Sequence, residues 1–162
     1  MAATDLGIAV VEIVYLYYYI MYKNSVCPEQ SLTMMNVFQQ QGAFSWSELM
    51  TTDAAAAKSF YAQLFGWEMD DRPISGMIYT VLKAGGQEVG GLMNMSPDMQ
   101  GTPPYWGTYV TVDDVDASAR LAEELGGRVI VQPMDIAEVG RFALIQDPQG
   151  AMLSIITYSN PQ

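Results

Sequence analysis

The residues best equipped for chemistry lie on two short alternating segments. In FSWSELMT, residues 44–51, strand-like alternation places Trp46, Glu48 and Met50 on one face. In YWGTYVTV, residues 105–112, Gly107, Tyr109 and Thr111 share a face, and Trp106 has the opposite parity. A carboxylate among aromatic rings suits an amine or other cation, through ion pairing and attraction to the ring quadrupole. The blander alternative has the rings filling a core and Glu48 facing solvent, and a one-residue slip of register exchanges the two.

Other conspicuous groups carry less. The chain has no histidine and a single cysteine, Cys27, which rules out an internal disulfide framework and suits a reducing compartment. Nothing near Cys27 in sequence would lower its pKa. Asp113, Asp114 and Asp116 are explained by helix capping and first-turn dipole matching. Asp70-Asp71-Arg72 reads as a solvated turn. Gly85-Gly86 and Gly90-Gly91 open no helix, so they are not a phosphate cradle. Met77, Met93, Met95, Met134 and Met152 could line an adaptable apolar surface, but most are expected in the core.

Seven basic against eighteen acidic residues give a formal charge of −11. That balance disfavours nucleic acid and anionic membranes and favours a neutral or cationic ligand. A chain of 162 residues, half of them hydrophobic, can bury one sizeable core.

The elements that must position these residues come in two copies. After the first strand, Asp53 caps a helix through Phe65, with Ala57, Phe60, Tyr61 and Leu64 as its apolar stripe and Gly66 as its stop. Strands follow at 67–70, 77–83 and 88–95, with Gly85-Gly86 as a hairpin turn. A Pro/Gly-rich connector, SPDMQGTPPY, leads into the second copy. There Asp114 caps a helix through Leu125, striped by Ala117, Leu121 and Leu125, before strands at 128–132, 141–146 and 151–157. The last two join through Asp147-Pro148-Gln149-Gly150, which has type I turn chemistry. A shift of 61 residues superimposes Asp53 on Asp114, Phe60 on Leu121 and Leu64 on Leu125. Each copy alone leaves a sheet uncovered, so the two must pair. The predicted class is α+β, with two βαβββ modules (43–95 and 105–158) forming a curved, barrel-like mixed sheet around a cleft.

These segments resemble a known family. DAAAAKSFYAQLFGW at 53–67 is similar to the helix signature of the vicinal oxygen chelate superfamily, which includes glyoxalase I, extradiol dioxygenases and bleomycin-resistance proteins. VDDVDASARLAEELGGRV and GRFALIQDPQGA look like its second module. In its enzymes a divalent ion sits in the cleft on His, Glu or Gln from the first and last strands of each module. At the matching positions this chain has Trp46, Gly107, Ser154 and, within one position, Asn94. None is a strong divalent ligand, so neither metal nor other cofactor is expected. The aromatic strands resemble a metal-free branch. The resemblance implies a binder that sequesters a small apolar ligand, cationic where Glu48 meets it, at Trp46, Glu48, Met50, Met93, Tyr109, Thr111 and Ser154. The alternative is a glyoxalase-like lyase or other enzyme with a non-His site. A homodimer is expected, with no nucleic-acid partner.

Residues 1–41 stand outside the modules. LGIAVVEIVYLYYYIMY at 6–22 is short for a membrane span and carries Glu12, and its flank lacks the positive start of a signal peptide. The expectation is an appendage on a cytoplasmic domain, packed on it or at the dimer contact, with membrane tethering through 6–22 as the alternative.

Overall fold

The computed structural model describes residues 36–159, apart from Ser75 and Gln100. The apolar run at 6–22 and Cys27 lie outside the described residues. Among those described, no helix is long and apolar enough to cross a membrane.

The two modules are present. The first runs β1 (Phe44–Thr51), α1 (Ala54–Phe65), β2 (Glu68–Ile74), β3 (Met77–Ala84) and β4 (Gln87–Asn94). The second runs β5 (Tyr105–Thr111), α2 (Val115–Glu124), β6 (Arg128–Ile136), β7 (Gly140–Gln146) and β8 (Met152–Tyr158). The strands form one mixed sheet ordered β2-β3-β4-β1-β5-β8-β7-β6. The first strand of each module lies at the centre, where β1 and β5 pair antiparallel. Each also pairs in parallel with the last strand of its own module.

Local chemistry fixes the elements as expected. Asp53 and Asp114 accept from the amides of Ala56 and Ala117, each at 2.9 Å, satisfying donors that the first helical turns leave free. Gly66 closes α1 at φ 69°. Asp147 Oδ1 accepts from the amides of Gln149 and Ala151, which pins the β7–β8 turn.

Both helices lie on one side of the sheet, over two separate cores. Leu49, Leu82 and Leu92 pack with Ala54, Ala57, Tyr61, Trp67 and Met69 under α1. Val112, Val115, Ala119, Ala143 and Ile155 form the core under α2. A fully buried Leu or Val contributes about 1.5–3 kcal/mol. The helix stripes differ from the expected ones. On α1 the inward set is Ala54, Ala57 and Tyr61, while Phe60 and Leu64 remain 58% and 56% exposed. On α2 it is Val115 and Ala119, with Leu121 and Leu125 at the surface. Apart from Tyr61 the inward residues are small or β-branched, and the larger Phe60, Leu64, Leu121 and Leu125 are left outside.

Two further expectations change. Asp70, Asp71 and Arg72 are not a turn but the middle of β2, where Asp70 pairs with Arg72 and Lys83 and Asp71 with Lys58. Met77, Met134 and Met152 are each about half exposed (50%, 49% and 48%), so these three are not core methionines. Residues 36–41 also make contacts with the second module: Thr111 Oγ1 donates to the Val37 carbonyl at 2.7 Å, and the Phe38 and Tyr158 rings meet edge to face.

Candidate functional site

The helices cover one face of the sheet, and the other face is decided by pairing. Leu49 points to the core under α1, so its neighbours Glu48 and Met50 point inward, to the side away from the helices. Trp46 opposes Tyr109 across the β1–β5 seam, and Glu48 opposes Gly107. Trp106 lies on the helix side, donating from Nε1 to the Tyr61 hydroxyl at 3.1 Å. The alternation read from the sequence is therefore the alternation of the sheet.

Glu48 is the centre of the cluster. The Tyr109 hydroxyl donates to its Oε1 at 3.2 Å. A second phenol, Tyr79 on β3, reaches it from the other side, and Tyr79 in turn accepts from Trp46 Nε1 at 2.9 Å. Ser154 on β8 supports Tyr109 with its own hydroxyl. Burial pushes the Glu48 carboxyl above its ordinary value of 4.5, against the hydrogen bonds from Tyr79 and Tyr109, which lower it. The phenols of Tyr79 and Tyr109 are raised too, by burial first and then by the Glu48 charge. Tyr105, on the same face and partly exposed, shifts the same way for the same reasons. Among the described residues Glu48 has no Lys or Arg partner, whereas Asp70, Asp71 and Asp116 are each ion-paired.

The structure brings Trp46, Glu48, Tyr109 and Ser154 together. Met50 and Met93 adjoin them as a cross-strand pair on the same face, and Met93 also opposes Tyr79. Thr111 is set apart. It is buried, its hydroxyl is taken by Val37, and it lines a separate surface cavity of about 180 Å³ with Phe38, Asp113 and Tyr158.

Sequence reasoning missed Tyr79. The signal was the Gly90-Gly91 pair inside β4, since glycine within a strand often marks close approach of another group. A Cβ at Gly91 would stand 1.8 Å from the Tyr79 hydroxyl oxygen, so Tyr79 occupies the space that a side chain at 91 would fill.

Register also corrects one family position. Glu48 pairs with Gly91 as its repeat equivalent Tyr109 pairs with Ser154, so Gly91, not Asn94, is the counterpart of Ser154. Asn94 instead accepts from the Ala54 amide at the start of α1, at 2.8 Å. The four positions to which the resemblance assigns metal ligands thus become Trp46, Gly91, Gly107 and Ser154. Two have no side chain, one is an indole already donating to a phenol, and one is a hydroxyl. These residues do not fit a divalent ion, and no group of three His, Cys, Asp or Glu side chains comes together among the described residues.

The family description "Glyoxalase/Bleomycin resistance protein/Dioxygenase superfamily" matches residues 43–155, both modules together. The chain belongs to this superfamily. Among relatives of this superfamily chain, "Putative glyoxylase CFP32" of Mycobacterium tuberculosis is 41% identical over 119 residues, covering 72% of this chain and 46% of the relative. "Anthracycline biosynthesis protein DnrV" of Streptomyces peucetius is 33% identical over 129 residues, covering 70% and 46%. The chain therefore spans about half the length of these relatives. Methylmalonyl-CoA epimerase from Mycobacterium tuberculosis shares the fold at a TM-score of 0.55 and 15% identity, over 81% of this chain and 97% of that one. A Streptomyces coelicolor methylmalonyl-CoA epimerase in complex with 2-nitronate-propionyl-CoA aligns at 0.55 and 16%, over 75% and 100%.

Proposed function

We propose that this superfamily member binds and sequesters a small organic amine on the inner face of the sheet, without a metal ion, using Glu48 as counter-charge. The observation that carries this reading is a half-buried carboxyl, desolvated enough to raise its pKa, beside Trp46, Tyr79, Tyr105 and Tyr109 with no basic partner among the described residues. A buried carboxylate lacking its cation is costly to keep, and such groups concentrate where a ligand supplies the missing charge. The rings add attraction for an ammonium group, about 0.5–2 kcal/mol each when it is desolvated. The net charge of −11 raises the local concentration of cations around the domain.

A protonated amine is expected to bind about tenfold more tightly than the alcohol of equal size, a difference of about 1.4 kcal/mol. Titration calorimetry with matched pairs measures this directly. Equal affinities would remove Glu48 from the account.

The raised carboxyl also supports a second reading, an enzyme in which Glu48 acts as general base on a carbon acid and the phenols steady the developing oxyanion. A relative named as a glyoxylase favours testing it. Exchange of deuterium from solvent into a carbonyl substrate, lost in Glu48→Gln, would distinguish catalysis from sequestration.

A further inference from the structure

The two modules share a backbone plan but line the inner face with different chemistry. On the first module, Asp71 pairs with Lys58 on α1, which places Asp71 on the helix side and its neighbours Asp70 and Arg72 on the inner side with Tyr79. There Arg72 bridges Asp70 and Glu88, and Lys83 holds Asp70 at 2.7 Å. This wall is charged, and its charges are mutually satisfied.

The second module repeats the logic with mainly apolar content, apart from Gln146 and Arg128, which bond to each other on the same face beside Met152. Arg141 pairs with Asp116 on α2 and with Asp135, so 141 and 135 belong to the helix side. Met134 and Phe142, cross-strand partners one residue away, therefore face inward. Leu144 follows two residues along β7, and Ile156, Ser154 and Met152 continue the same face on β8. Phe142 is the register counterpart of Tyr79: Tyr79 opposes Met93 and Phe142 opposes Ile156, each two residues beyond Gly91 and Ser154. A phenol that engages Glu48 is thus mirrored by a plain ring. Met134 and Met152 stay about half exposed, whereas Ile156 and Ser154 on the same face are buried.

We propose that the amine bound at Glu48 is amphipathic and lies in one direction only, its apolar body across Met134, Phe142, Leu144 and Met152 and not toward the Asp70–Arg72–Lys83 wall. This deepens the amine reading above and rests on it. The satisfied ion pairs of the first module gain nothing from an alkyl chain and would lose solvation beneath it. The second wall gains from every methylene it covers, and Met side chains adapt to bodies of differing shape.

The test uses the full chain with n-butylamine and n-octylamine. Each extra methylene that reaches the wall should tighten binding about fourfold at most. Replacing both half-exposed methionines (Met134→Gln with Met152→Gln) keeps side-chain length and should weaken octylamine at least about tenfold while leaving butylamine unchanged. Arg72→Gln should leave both amines unchanged. If butylamine binds but octylamine binds no tighter, or if Arg72→Gln weakens octylamine and the methionine changes do not, the direction proposed here is overturned while the Glu48 site stands. If neither amine binds, the underlying reading and this one fail together.

Discussion

Gly91→Ala is expected to destabilise the domain by about 1–3 kcal/mol, the range for forcing extra volume into a filled site. The added Cβ would lie 1.8 Å from the Tyr79 hydroxyl oxygen and 2.3 Å from its ring carbon Cζ. The neighbouring strands are held by ladder hydrogen bonds on both sides, so the tyrosine must move. Moving it breaks the Trp46–Tyr79 hydrogen bond and withdraws one donor from Glu48. A domain of this size loses about 2–4 °C in Tm per kcal/mol, which thermal unfolding resolves easily. The same substitution in a Tyr79→Ala background should cost far less, because the obstructing ring is gone. Such non-additivity is the signature of two groups sharing one space. Additive losses would mean that Tyr79 does not sit over Gly91.

Glu48→Gln is expected to have two effects of opposite sign. Binding should suffer, with the amine preference falling from about tenfold to near parity and the alcohol left nearly unaffected. Stability should improve at neutral pH. In the folded chain the carboxyl's pKa lies above its ordinary 4.5 because burial disfavours the charge. The unfolded chain therefore releases this proton at lower pH than the folded one. The resulting penalty is absent well below 4.5, grows as pH rises from there to the folded-state pKa, and is constant above it. The glutamine removes the penalty, so the Tm gain should be full at neutral pH and vanish on acidification. Asp70, Asp71 and Asp116, whose ion pairs hold them below 3.8, act in the other direction. Their contribution is present in both proteins and cancels in the comparison. A site that is less stable with its functional group than without it is typical of binding and catalytic positions.

Most of the fold was legible because its punctuation is chemical. Two aspartate caps sit at matching places in the modules, and they, the left-handed Gly66 and the Asp147-Pro148-Gln149-Gly150 turn each act through their own local hydrogen bonds. The helix stripes were misjudged because periodicity weights large apolar residues. Packing on this sheet kept Ala57 and Tyr61 of the expected stripe and added Ala54, Val115 and Ala119, leaving Phe60, Leu64 and Leu121 outside. The β1 face was legible from alternation alone, so Trp46, Glu48 and Tyr109 could be grouped in advance. Tyr79 could not. Its place depends on the antiparallel register of β3 against β4 and on the bare backbone of Gly91, neither of which a linear pattern encodes. The Gly91 counterpart of Ser154 was hidden for a related reason. The β8 and β4 positions are offset by 63 residues rather than the 61 that relates the helices, a shift visible only through pairing.

The central claim is that Glu48 is a desolvated carboxyl awaiting a cation, and carbon-13 NMR of its side-chain carboxyl as a function of pH tests that most directly. The titration midpoint is predicted to lie above the ordinary 4.5 in the free protein. Saturation with an amine should drive it downward, because the bound ammonium favours the charged form, while the matched alcohol should leave it high or raise it. A midpoint at the ordinary value that neither ligand moves would contradict the account and return Glu48 to solvent.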